Sequence, residues 1–167
     1  ANLMHPLFIN RSLLQERILA AFDFIKEHKL ADATRIGAIG FCFGGLAVIE
    51  LLRTGAPISS AVSFHGLLGD TFTDLKAIPG ERNKKINGSL LILHGYDDPL
   101  VTQNDIYALE QEMTKNGADW QINIYGNTAH AFMVEGMQKP KQGLVYNAKT
   151  KRRAWQSLIN FFNEIFG

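Results

Sequence analysis

The chain has 167 residues, 46% of them hydrophobic and 20% charged, so it is long enough for one globular domain with a substantial core. Its 17 basic and 16 acidic side chains give a formal net charge of +1, which argues against binding to nucleic acid or to an acidic membrane surface. A single cysteine excludes an internal disulfide and a cysteine-based zinc site, and it favours a reduced, cytoplasmic compartment. No membrane span is expected, since the apolar run over residues 36–49 is too short, and the first residues do not predict a signal peptide.

The N-terminal part of the chain predicts one helix. Residues 1–10 are expected to be irregular. Residues 11–28 have apolar side chains at helical spacing, which indicates an amphipathic helix: Leu13, Leu14, Ile18, Leu19, Phe22 and Ile25. A short polar connection over residues 29–34 follows.

The sequence I-G-A-I-G-F-C-F-G-G at residues 36–45 predicts a buried strand, a tight turn and a helix. Cys42 lies two residues after Gly40 and two before Gly44, which is the spacing of the nucleophile elbow G-x-S-x-G with sulfur in place of oxygen. Strand and helix come close at such a turn, so side chains at either glycine are expected to collide. The helix N-terminus favours the thiolate of Cys42, and the backbone N–H of Phe43 is the expected oxyanion-hole donor.

Two other interpretations of this stretch stay open from the residues alone. A lone cysteine among apolar residues is commonly a small buried side chain. The glycines also suggest a nucleotide-binding turn, although they do not form G-x-G-x-x-G and no G-K-[ST] follows them. The choice therefore depends on the rest of the chain.

Strands and helices alternate after this turn. Strands are predicted over residues 60–64, 89–93 and 120–125, and helices over residues 44–53, 102–116 and 151–166. A surface crossing loop is expected over residues 67–88, and a surface excursion over residues 135–150. The alternation indicates an α/β fold with a parallel sheet, in which sites gather beyond the carboxyl ends of the strands.

Three chemically suitable side chains each follow a predicted strand end. They occur in the order nucleophile, acid and histidine, as Cys42, Asp98 and His130. His130 is expected to exchange a proton with Cys42, and Asp98 to hold the imidazole ring. Asp97 competes for the acid role, but Asp98 is favoured because it precedes Pro99 and is held extended. The non-catalytic alternatives are that His130 is an ordinary surface loop histidine and that Asp98 is an N-cap or Asx-turn residue before Pro99.

His65 and His94 also stand at strand ends, each before a glycine. Both are candidates to face the same cleft. A two-histidine metal site is conceivable on this pattern, but buried structural histidines are commoner, so no metal is expected.

Five motifs occur in order: G-F-C-F-G-G at 40–45, S-F-H-G at 63–66, H-G-Y-D-D-P at 94–99, H-A-F at 130–132 and Y-N-A-K-T-K-R-R-A-W at 146–155. Because it carries these five motifs in this order, the chain resembles the dienelactone hydrolase family. The resemblance implies an α/β-hydrolase fold, with a mostly parallel sheet and helices on both faces. It also implies cleavage of small carboxylic esters or lactones through an acyl-cysteine, with Cys42, Asp98 and His130 as the triad and no cofactor. His65 and Phe132 are the expected substrate-pocket residues.

The chain departs from that family in two respects. Family members normally begin with several strands that are missing here, so residues 1–167 are expected to form one domain that is incomplete at its N-terminus. An exposed sheet edge would then favour self-association. Members that cleave dienelactone carry an arginine four residues after the histidine, where this chain has Val134, so the substrate is left open.

A second hypothesis is that the chain is not an enzyme. The chain would then be a non-catalytic α/β-hydrolase-like fragment that binds a ligand or a partner. Redox sensing by Cys42 is a third hypothesis, but this chain has no second cysteine to resolve an oxidised thiol.

Overall fold

The computed structural model of the chain describes residues 4–68 and 85–167. Four strands form one parallel sheet in the order β1 (Gly37–Phe41), β2 (Ser60–Phe64), β3 (Ser89–Gly95) and β4 (Trp120–Tyr125). The predicted parallel α/β sheet is therefore confirmed. Most of the predicted crossing loop, residues 69–84, lies outside the described residues.

The described helices are α1 (Met4–Ile9), α2 (Arg11–Lys26), α3 (Phe43–Arg53), α4 (Gln103–Lys115) and α5 (Ala148–Phe166). The prediction of an irregular N-terminal segment was wrong, because α1 forms there. Pro6 occupies the first turn of α1, where its missing N–H costs nothing. Asn10 then separates the two helices, since its side chain accepts a hydrogen bond from the N–H of Leu13 at 3.0 Å and caps α2.

The helix α5 begins three residues before the predicted start at Lys151. The side chain of Asn147 accepts a hydrogen bond from the N–H of Thr150 at 3.1 Å, and this cap sets the start of the helix. None of the helices in the described ranges is long and apolar enough to span a bilayer.

Helices cover both faces of the sheet, as the sequence predicted. Leu90 and Ile92 of β3 pack in a cluster with residues of α2, α3 and α4. Leu91 and Leu93 point to the other face and pack with residues of α5. This alternation along a strand that is buried from Leu90 onward is typical of the central strands of a parallel sheet.

A buried charge network joins the helices on the first of these faces. The guanidinium of Arg53 donates to Glu50 at 2.8 Å and to Glu112 at 2.6 Å, and Gln15 donates to the second oxygen of Glu50 at 2.8 Å. Burial opposes the charge on Arg53, but the two carboxylates outweigh that effect and raise its pKa. The network thus ties α2, α3 and α4 together.

Strand β1 forms one edge of the sheet. It pairs with β2, and no other strand in the described part of the chain pairs with it. Ile39 and Phe41 on β1 are 43% and 39% exposed. Self-association through this edge stays a prediction.

The glycines around the turn between β1 and α3 have different roles. A Cβ atom at Gly40 would lie 2.0 Å from the carbonyl oxygen of Gly44, and one at Gly45 would lie 2.6 Å from the Cα of Gly66. A Cβ atom at Gly44 would meet nothing within 4 Å. The predicted collision is therefore confirmed for Gly40 and wrong for Gly44, whose Cβ position faces open space.

We expect Gly40→Ala to lower the free energy of unfolding by about 1–3 kcal/mol or more, because β1 and α3 must separate to admit the methyl group. Gly44→Ala is the matched control and should leave stability unchanged or raise it by up to about 1 kcal/mol, since alanine favours the helix. Urea unfolding of both variants measures the difference. Equal stability of the two would show that strand and helix are not in close contact.

Candidate active site

Cys42 occupies a strained turn between β1 and α3. Its backbone has φ 54° and ψ −118°, a conformation that side-chain-bearing residues adopt at a cost of about 1–3 kcal/mol. Its N–H donates to the carbonyl oxygen of Phe64 at 3.1 Å, and its own carbonyl accepts from the N–H of Gly45 at 2.9 Å. These bonds hold a partly exposed thiol above the carboxyl end of β1, which is the geometry of a nucleophile elbow.

His130 and Asp98 also lie beyond the carboxyl ends of the strands, where their side chains are in contact. Nδ1 of His130 lies 2.7 Å from Oδ2 of Asp98, and both side chains are buried. The other oxygen of Asp98 accepts a hydrogen bond from the N–H of Leu100 at 2.9 Å. Asp97 is exposed to solvent, so the structure pairs His130 with Asp98, the carboxylate favoured from the sequence.

The loop that carries His130 is fixed on both sides by hydrogen bonds. Its N–H donates to the carbonyl of Gly143 and its carbonyl accepts from the N–H of Val145, both at 2.9 Å. These partners belong to a small antiparallel hairpin of β5 (Gln138–Lys139) and β6 (Leu144–Val145). The segment that the sequence predicted as a surface excursion therefore positions the histidine.

The charges of this site are coupled. Burial lowers the pKa of His130, but hydrogen bonding to Asp98 and to the thiol of Cys42 outweighs it and raises that pKa to about 9. Hydrogen bonding to His130 lowers the pKa of Cys42 against the opposing effect of burial, and the N–H of Phe43 contributes further. Nε2 of His130 has no partner of conventional hydrogen-bond geometry within the described ranges, so its interaction with sulfur is looser than the bond to Asp98.

His65 and Phe132, the substrate-pocket residues expected from the sequence, are not among the described residues that line the cavity beside Cys42. Both are buried, and the ring centroid of His65 lies 4.9 Å from that of His130 and 5.2 Å from that of Phe132. Burial, reinforced by the charge of His130, lowers the pKa of His65 to about 4. These two rings therefore pack as an uncharged wall against His130, and their role as substrate-pocket residues stays a prediction.

His94 is also buried, and burial lowers its pKa. Neither His94 nor His65 belongs to a group of three His, Cys, Asp or Glu side chains arranged for a metal ion in the part of the chain that the structure describes.

A cavity of about 380 Å³ opens beside Cys42. The described residues that line it are Cys42, Met4, His5, Phe8, Ile9, Leu67 and Leu100. Four of them belong to α1, so the sequence reasoning missed this wall together with the helix. The available signal was the spacing of Met4, Leu7 and Phe8, which is helical.

The parallel sheet, the elbow and the order of the three side chains define an α/β-hydrolase. The family model of the dienelactone hydrolase family matches residues 1–166, and the chain belongs to that family. A dienelactone hydrolase-like promiscuous phosphotriesterase from metagenomic libraries has a similar structure, with a TM-score of 0.84 and 36% identity. That match covers 95% of this chain and 64% of the other.

Two relatives in sequence differ in length. An uncharacterized protein of Caenorhabditis elegans is 30% identical over 155 residues, which is 92% of this chain and 94% of that protein. A protein of Aquifex aeolicus named "Putative carboxymethylenebutenolidase" is 27% identical over 162 residues, which is 96% of this chain and 64% of that protein. The chain thus spans nearly the whole of the first relative and about two thirds of the second.

We expect the rate of Cys42 alkylation by iodoacetamide to rise with an inflection below the ordinary cysteine pKa of about 8.5, since thiolate is the reactive form and His130 lowers the pKa of Cys42. In His130→Gln the inflection should move up, because the largest effect that lowers the pKa of Cys42 is then lost and burial raises that pKa. His28→Gln, at an exposed histidine outside the site, is the matched control. The same inflection in all three proteins would contradict the coupling.

Proposed function

We propose that this chain hydrolyses small carboxylic esters or lactones through an acyl-cysteine intermediate on Cys42. The observation that carries the proposal is the 2.7 Å contact between buried His130 and Asp98. This pair lies beyond the carboxyl ends of the strands, where the strained turn also holds the thiol of Cys42. Membership of the dienelactone hydrolase family supports the reaction class. The expected reduced, cytoplasmic compartment stays a prediction.

The acylation half-reaction begins with attack of the Cys42 thiolate on the carbonyl carbon of the ester. A C–S bond forms and the carbonyl electrons move onto oxygen, where the backbone N–H of Phe43 donates a hydrogen bond. When the tetrahedral intermediate collapses, the C–O bond to the leaving group breaks. The imidazolium of His130 protonates the departing alkoxide, which leaves a neutral imidazole and an acyl-cysteine.

The deacylation half-reaction uses the neutral imidazole as a base. His130 takes a proton from water as the water oxygen attacks the thioester carbon. The second tetrahedral intermediate breaks its C–S bond, and the carboxylic acid departs. Thiolate and imidazolium are then restored. Asp98 holds the ring through Nδ1 in both halves and stabilises its charged form.

We expect brief exposure to p-nitrophenyl acetate at neutral pH to place one acetyl group on the native chain, which then decays as water attacks. Cys42→Ala should acquire none, and His130→Gln should be acetylated about 10²–10⁴-fold more slowly because it lacks the proton acceptor and donor. Intact-mass spectrometry over time measures each variant. His28→Gln should behave as the native chain does.

A native chain that acquires no adduct under these conditions would favour the non-catalytic binding module. An adduct that forms and persists would show acylation without turnover. Circular dichroism of each variant excludes loss of the fold as the cause.

The steady-state rate should also depend on pH in a defined direction. For an alkyl ester, whose alkoxide needs a proton to leave, His130 must be protonated and its pKa is raised to about 9, so we expect turnover to fall as the pH rises through about 9. On the acid side, turnover should fall as Cys42 is protonated below its lowered pKa. A plateau that continues well above pH 9 would contradict the role of the imidazolium.

A further inference from the structure

The cavity beside Cys42 has a mostly apolar lining, which bears on the kind of ester that it can bind. We propose that it is an acyl pocket for uncharged, apolar acyl groups and that helix α1 forms its outer wall. This inference rests on the proposed hydrolase function and names the substrate class of the same site.

The lining of the cavity is almost entirely apolar. Besides Cys42 and His5, its described walls consist of hydrocarbon and thioether side chains: Met4, Phe8, Ile9, Leu67 and Leu100. A volume of about 380 Å³ falls within the range of pockets that enclose small ligands, which are likewise mostly apolar with few polar groups. Burial of alkyl groups is therefore the main source of binding free energy available there.

A carboxylate on the acyl group would find little compensation in this cavity. None of the described lining residues is an aspartate, glutamate, lysine or arginine, and His5 is the one lining side chain that could hydrogen-bond to a carboxylate. The residue four positions after His130 is Val134, which is uncharged and does not line the cavity. Since an ion that loses water without a partner pays a large desolvation cost, neutral acyl groups should be preferred.

The positions of the reacting side chains assign the cavity to the acyl group. Cys42 lines the cavity, whereas His130 does not. The leaving-group oxygen must lie near His130 to receive its proton, so that part of the ester points away from the cavity. The acyl chain, attached at the opposite side of the carbonyl carbon, then extends from the sulfur toward α1.

Helix α1 is anchored beside the nucleophile. The ring centroid of buried Phe8 lies 6.4 Å from that of Phe43, the residue that follows Cys42. Phe8 also belongs to a buried cluster with Leu14, Leu46, Ala47 and Leu67. Moving α1 away would expose Phe8 and the side of this cluster that it covers, which opposes displacement of the wall.

The test is the kcat/KM of the chain for a series of p-nitrophenyl esters. We expect kcat/KM to rise about fourfold per added methylene from acetate through butyrate to hexanoate, which corresponds to about 0.8 kcal/mol each. The mono-p-nitrophenyl ester of adipic acid has the same six acyl carbons as the hexanoate but ends in a carboxylate. It should react at least about tenfold less efficiently, after subtraction of the rate without protein.

Two variants with the same added charge test the role of α1. Ile9→Asp places a carboxylate in the cavity wall at a half-exposed position, and should lower kcat/KM for the hexanoate by about tenfold. Ser12→Asp, at an exposed position of α2 outside the lining, should keep the native dependence on chain length.

The outcomes separate the two proposals. Acetylation of Cys42 together with a flat chain-length series, or with preference for the adipate, would overturn the acyl-pocket inference and leave the hydrolase standing. An unchanged series in Ile9→Asp would overturn the assignment of α1 as the wall. Absence of any acyl adduct from all esters would overturn the hydrolase function first.

Discussion

The close approach of strand β1 and helix α3 at Gly40 is the constraint on which the site depends. With no side chain there, the carbonyl of Gly44 occupies the space that a Cβ atom would need. The chain can then reverse within a single residue, and Cys42 takes the positive φ that this reversal requires. The burial of α3 from Gly45 to Arg53 offsets the local strain, because the helix is held against the sheet along its length.

The site also requires that His130, and not the neighbouring His65, is the protonated imidazole. His130 and His65 lie with their ring centroids 4.9 Å apart, yet their pKa values shift in opposite directions, to about 9 and about 4. Both rings are buried, so the difference comes from partners: Asp98 bonds to His130, while neither nitrogen of His65 has a hydrogen-bond partner among the described residues. The protein thereby directs the charge to the ring that faces Cys42.

Much of this architecture is predictable from the sequence because it depends on local patterns. Strands β2 and β4 coincide with their predicted bounds, because β-branched and aromatic residues bounded by turn formers mark short strands. The positions of Asp98 and His130 follow from the rule that sites gather at carboxyl ends of parallel strands. Helix α1 was missed because the helical spacing of Met4, Leu7 and Phe8 extends over only six residues that include a proline, and because the burial of Phe8 depends on contacts made across the chain. The burial of Phe132 likewise depends on tertiary packing, which spacing does not reveal.

The central claim is that Asp98 keeps His130 protonated beside the Cys42 thiolate. Its most direct test is a ¹⁵N NMR titration of histidine-labelled protein, with the His130 resonances assigned by comparison with His130→Gln. The account predicts that His130 in the native chain titrates near pH 9, and that its pKa falls in Asp98→Asn, where burial is no longer opposed by a carboxylate. A native His130 that titrates at or below the ordinary histidine value of about 6.5 would contradict it.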